Sequence, residues 1–167
     1  RPNIVWLLSE DNSVHYQQHY GAKHGPTPNL TLLAKDGLTF EHAFSNSPVC
    51  SVARTTLMTG MLAPRIGFQY HRKITQTNLP PGAKMFPVYL RNAGYYCTNR
   101  SKTDYNFEPP LTAWDESGRR SRDWRGRDQG QPFFSVINLT VSHESRIRAK
   151  FDKTLHDPAK VQLPPYI

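Results

Sequence analysis

Cysteine is scarce in this chain: Cys50 and Cys97 are the only two in 167 residues. Two thiols can form one bridge at most, which excludes a disulfide framework. Long apolar runs are also missing. Ile4–Leu8, the longest near the start, falls far short of the roughly 18 residues a membrane-spanning helix needs. It is equally too short for the core of a signal peptide. Hydrophobic residues make up only 37%, and 14 prolines against 10 glycines call for many turns and loops. Acidic residues are few, 13 against 21 lysines and arginines, so the formal charge is +8. That balance favours polyanionic partners without choosing among them. Zinc-ligand spacing, a recognition-helix pattern and an aromatic-basic motif are all absent, which argues against a nucleic-acid module. No internal repeat occurs. The length suits one domain with a core and is too short for two ordinary ones.

What is present reads as alternating strands and helices. Residues 3–8 are short, continuously apolar and β-rich, the pattern of a fully buried strand. The acidic cluster Ser9-Glu10-Asp11-Asn12 follows directly, where α/β enzymes place ligand-binding groups. Pro28 to Gly37 predicts a short helix, with proline near its start and glycine as stop. Leu38 to Phe44 alternates and predicts a strand. Ser51 to Gly60 and Phe86 to Asn92 predict two further helices, and residues 95–98 and 133–141 two further strands. Together these imply an α/β fold with a largely parallel central sheet flanked by helices. Residues 115–131 hold five arginines and almost no apolar side chain, which predicts a surface loop. The start at Arg1 and the end at Val161–Ile167, which has no polar tail or helix stop, read as a piece of a longer polypeptide.

The richest chemistry lies in Ser47-Pro48-Val49-Cys50-Ser51-Val52-Ala53-Arg54. A cysteine next to a helix start lies near the positive end of the helix dipole, which lowers its pKa and raises its reactivity. Arg54, four residues on, falls one turn away on the same face. The alternative from spacing alone is a buried structural cysteine beside a surface arginine.

This stretch, with Leu57-Met-Thr-Gly60 after it, resembles the signature Cys-x-Pro/Ala-x-Arg of the type I sulfatases, with Val52 at the Pro/Ala position. Other segments match the family in collinear order. Arg1-Pro-Asn-Ile4 opens the first strand, and Glu10-Asp11 stand where the family usually has two aspartates. Thr27-Pro-Asn-Leu30 to Gly37 is similar to a Thr-Pro-Asn element of the family. Thr98-x-x-x-Lys102-x-Asp104 is similar to a Thr-x-x-x-Gly-Lys-x-His run, with Ser101 for glycine and Asp104 for histidine. His143, after the last strand, fits the family's strand-end histidine.

The resemblance implies the N-terminal portion, residues 1–167, of an alkaline-phosphatase-like sandwich whose C-terminal remainder is missing. It implies that Cys50 is oxidised to formylglycine by a maturation enzyme and also contacts the metal. Glu10 and Asp11 would bind Ca²⁺ or Mg²⁺, the family's later Asp-Asn or Asp-His pair and a later lysine having no counterpart here. A hydroxyl of the formylglycine hydrate would attack the sulfur of a sulfate ester. Arg54 and Lys102 would stabilise the negative charge, His143 would protonate the leaving alcohol, and Asp104 would complete the set. The implied substrate is a sulfated saccharide, by likeness to bacterial carbohydrate sulfatases, and the implied location periplasmic or extracellular. The alternatives are a phosphonate or phosphate ester hydrolase of the same superfamily and an inactive fragment that binds polyanions. With most covering helices missing, Val5, Leu7, Phe134, Val136 and Ile137 are expected to form a wide apolar face.

Overall fold

The computed structural model describes residues 1–23, 25–148, 157–161, 163 and 166. The chain divides into two compact units. The first joins Arg1–Leu8 to Phe44–Asn138, and the second joins Ser9–Ala43 to Leu139–Ile167.

The first unit is built on a four-stranded sheet. Its strands are β1 (Ile4–Ser9), β2 (Tyr96–Arg100), β3 (Glu116–Gly118) and β4 (Phe133–Leu139), in the order β1-β4-β2-β3. β2 runs parallel to both of its neighbours, pairing Arg100 with Ile137 of β4 and with Gly118 of β3. The expected parallel α/β sheet is therefore present. Two helices accompany it, α2 (Cys50–Thr59) and α3 (Phe86–Asn92). α3 carries proline in its first turn and ends before Gly94, whose φ of 87° lets the chain turn directly into β2. α2 ends on Gly60 in the left-handed conformation (φ 66°), with its N–H bonded to the Thr56 carbonyl.

Two clusters make the core of this unit. Val52 and Met58 of α2 join Phe68, Met85, Tyr105 and Phe107. Cys97, Phe134 and Val136 of the sheet join Phe86 and Leu90 of α3. Phe134 and Val136 are thus buried under α3, which corrects the expectation that they lie bare. β1 alternates rather than being buried throughout. Ile4, Trp6 and Leu8 pack against the second cluster, while Val5 and Leu7 are 46% and 51% exposed. β1 is an edge strand with one covered face, and its apolar composition does not reveal that.

Two other expectations are corrected here. Residues 115–131 are not simply a surface loop: β3 pairs with β2, and a 3-10 turn at Asp123–Gly126 buries Asp123. Three of the five arginines there are spent on structure. Arg122 pairs with Glu116 at 2.6 Å, Arg125 with Asp123 at 3.5 Å, and Arg127 donates to the Trp124 carbonyl. The second correction concerns the second unit, where residues 38–44 form no strand and Leu38, Phe40 and Phe44 are exposed. Alternation needs a partner edge to become a strand, and none of the described residues supplies one. The second unit's helix, α1 (Pro28–Asp36), forms as predicted, with proline at its start and no buried side chain.

Candidate active site

In the first unit the site grows from α2. Cys50 is the first residue of the helix, is partly buried and is not in a disulfide. Beside it Ser51 is fully buried, and its hydroxyl hydrogen-bonds Nδ1 of His71 at 2.9 Å and accepts from the Arg72 N–H at 3.0 Å. This ties the chain at 71–72 to the first turn of the helix. The buried face of α2 is more than half polar, because Ser51, Arg54 and Thr55 share it with Val52 and Met58. Thr55 accepts from the backbone N–H of Asn106 at 3.1 Å.

Arg54 is only 6% exposed. Its guanidinium donates to the carbonyls of Thr103 and Lys102, each at 2.6 Å, and to Oδ1 of Asn138 at 2.8 Å. The helix that Cys50 begins is therefore fastened to the turn that carries Lys102 and Asp104. That turn leaves the C-terminal end of β2, the usual position of ligand-binding groups in a parallel sheet. Its backbone is unusual, since Ser101 (φ 74°) and Asp104 (φ 49°) are both left-handed without being glycine.

Asp104 sits between two cations. Arg72 donates to both of its carboxylate oxygens at 3.2 Å, and Lys102 Nζ lies 3.7 Å away. Burial works against ionisation, but the hydrogen bonds and charge of Arg72, aided by Lys102 and His71, outweigh it. The carboxyl is held below its ordinary range, so Asp104 is a carboxylate at neutral pH. His71 and Arg72 were not singled out from sequence. Their only advance signal is the run His71-Arg72-Lys73, which looks like any solvated basic turn.

Cys97 contrasts with Cys50. It is fully buried under α3, and burial, with the nearby Asp115 charge, pushes its thiol up to about 12. Such a thiol is inert.

The second unit holds the remaining candidates. Glu10 is buried, and its backbone carbonyl accepts from the Ser142 hydroxyl. Asp11, in the left-handed region (φ 45°), accepts from the Glu144 N–H at 2.7 Å. The segments after β1 and β4 thus lie side by side, and a carboxylate oxygen of Glu10 and a ring nitrogen of His143 come within 4.8 Å. The Ser145 N–H donates to Nδ1 of His143 at 3.2 Å. Nδ1 also hydrogen-bonds the Ser145 hydroxyl at 2.9 Å, so the ring is oriented by its own turn. Glu10 and Asp11 are hard oxygen donors on adjacent residues, a set that fits Ca²⁺ or Mg²⁺. His24 and His156 lie outside the described residues.

No helix among the described residues is long and apolar enough to cross a membrane. Comparison with known proteins agrees with this picture. The Sulfatase family model matches residues 2–112. An ulvan-active sulfatase of Formosa agariphila is 43% identical over 155 aligned positions, covering 87% of this chain and 26% of the relative. Human N-acetylgalactosamine-6-sulfatase is 35% identical over 103 positions, covering 56% and 20%. Among solved structures, one bound to its substrate D-glucosamine-2-N,6-O-disulfate superposes with a TM-score of 0.72 at 20% identity, over 86% of this chain and 35% of the other. A 2-O GAG sulfatase superposes with a TM-score of 0.69 at 16% identity, over 85% and 35%. The chain therefore has the fold of the N-terminal region of these proteins, and it spans about a quarter of the length of the ulvan-active relative.

Proposed function

Because the chain belongs to the sulfatase family, we propose that it forms the N-terminal part of a longer enzyme that hydrolyses sulfate esters on a carbohydrate. One observation carries the reading. The helix begun by Cys50 is bolted through Arg54 to the Lys102 turn, so the nucleophile's element and the anion-binding element form one structure. Ulvan and N-acetylgalactosamine-6-sulfate, named for the relatives, are both sulfated sugars, which supports a saccharide substrate.

Each residue has a task in this reading. Cys50, once oxidised to formylglycine by a maturation enzyme and hydrated, would supply the hydroxyl that attacks sulfur, and Glu10 and Asp11 would hold a Ca²⁺ or Mg²⁺ ion whose charge would stabilise the developing negative charge. Lys102 binds the sulfate oxygens as a point charge. Asp104, 3.7 Å from the Lys102 ammonium, would hold it in place. His143 is the proposed general acid, which in its imidazolium form would give a proton to the departing alcohol. Arg54 acts from behind, by placing the Lys102 turn. A periplasmic or extracellular location is part of the same proposal.

Turnover of an aryl sulfate and the matching aryl phosphate by the complete protein tests the reading. Sulfate ester hydrolysis that Cys50→Ala abolishes is the expected result. Preference for the phosphate would move the protein to the phosphate ester branch, and full activity in Cys50→Ala would overturn the nucleophile. Peptide mass spectrometry across residues 45–60 reports the aldehyde directly.

A further inference from the structure

One main-chain oxygen in the first unit collects an unusual number of donors. The Lys102 carbonyl accepts from Nη2 of Arg54 at 2.6 Å, from Nδ2 of Asn99 at 3.0 Å and from Nδ2 of Asn138 at 3.3 Å. Two of these side chains come from strands: Asn99 from β2, and Asn138 from β4, one residue beyond the Ile137–Arg100 pair. Arg54 comes from α2. Asn99 and Asn138 are buried and bonded to each other, with Nδ2 of Asn138 donating to Oδ1 of Asn99 at 3.1 Å.

The same groups grip the rest of the turn. Asn138 also donates to the Arg100 carbonyl at 2.7 Å, its own carbonyl accepts from the Ser101 hydroxyl at 3.1 Å, and its Oδ1 accepts from Arg54. Asn99 reaches Ser117 of β3 at 3.3 Å. The turn they hold has left-handed, non-glycine residues at both ends, Ser101 and Asp104. Such backbone persists only where its surroundings over-determine it. Buried amides are costly unless every polar atom finds a partner, and here the partners are the turn's own carbonyls. A fold that needed only a β2-to-β3 connection could use a relaxed loop with glycine.

We infer that Asn138 and Asn99, with Arg54, are positioning residues for the reaction: they clamp the Lys102 carbonyl and so aim the Lys102 ammonium at the sulfate. The inference rests on the proposed role of Lys102 and adds two residues that touch neither substrate nor nucleophile. Displacement of a charged group by about 1 Å costs up to about 100-fold in rate, which is the effect a broken clamp should have.

A double-mutant cycle in the complete enzyme tests this, with an aryl sulfate as substrate and inorganic sulfate as inhibitor. Asn138→Ala should lower kcat/KM by about 10- to 100-fold and weaken inhibition by sulfate. In a Lys102→Ala background the same substitution should cost less than about threefold, because coupled residues are not additive. Asn138→Asp keeps the acceptor for Arg54 and removes both amide donors, so it serves if the alanine variant does not fold, and it should behave the same way. Equal losses with and without Lys102 would make the asparagine merely structural and overturn the clamp alone. No effect of Lys102→Ala by itself would overturn the role of Lys102 and the clamp with it.

Discussion

Asp104 shows how a residue's neighbours decide what it can do. Flanked by Arg72 and Lys102, its carboxyl stays ionised well into acid. A depressed carboxyl stabilises the fold above its unfolded pKa, near 3.9, and that contribution is lost as pH falls through the lower folded value. Asp104 therefore contributes no ionisation between pH 5 and 8, by about this reckoning. Asp104→Asn should raise KM for an aryl sulfate while leaving the shape of the pH–rate profile in that window unchanged. A limb that vanished in Asp104→Asn would show instead that Asp104 exchanges protons in the reaction. The two cysteines divide as sharply. Cys50→Ala should abolish turnover, whereas Cys97→Ala should keep kcat within about threefold and lower Tm, since its fully buried thiol fills core space. Equal losses from both would refute the assignment of Cys50. Cys50, Arg54, Lys102, Asp104, Glu10, Asp11 and His143 could be proposed from sequence because each sits in a run whose spacing resembles the family's. His71, Arg72, Asn99 and Asn138 could not. His71 bonds to Ser51, Arg72 to Asp104 and Asn138 to Asn99, at separations of 20, 32 and 39 residues, beyond any local pattern.

Among the elements, the helices and the parallel strands were readable because periodicity and stop signals agree there. Phe86–Asn92 has proline at its start and a glycine two residues past its end, and it forms over those residues. Leu38–Phe44 misled because alternation records a preference and not a partner. β3 was hidden for the opposite reason: its three residues are held by ion pairs at its margin rather than by apolar contacts. Glu116 accepts from Arg122 through backbone and side chain and from the Tyr96 hydroxyl, which lowers its pKa from 4.5 to about 2. The support that Glu116 gives is complete above about pH 4.5 and is lost as pH falls toward 2. Hydrogen exchange followed down this range should show residues 116–127 loosening before β2 and β4. Uniform loosening of all three strands would contradict it. Gly126 closes the same corner: a Cβ there would collide with the Tyr96 hydroxyl and Glu116. Gly126→Ala should accordingly detach β3 first in the same experiment.

For the molecule as a whole, the decisive quantity is uncovered apolar surface. Val5 and Leu7 of β1 in the first unit, and Leu33, Leu38 and Phe40 in the second, are exposed. Contiguous apolar patches beyond a few hundred Å² are rare on soluble monomers. The 167-residue chain made alone should therefore aggregate or bind a hydrophobic dye at neutral pH. A sharp, reversible two-state melt of a monomer would disprove this. The same chain should bind Ca²⁺ weakly by calorimetry, because Glu10 and Asp11 are two carboxylates where the ion takes six to eight oxygens, by the usual count of roughly that number. The clamp at the Lys102 carbonyl has a consequence for how such an enzyme diversifies. Its donors hold peptide oxygens and leave the side chains of residues 102–104 outside their grip. The turn is thus a socket whose contents can be exchanged while its frame stays fixed. That leaves Thr103, exposed and without a task in the proposed reaction, as the position to vary first when the complete protein is tested on other esters.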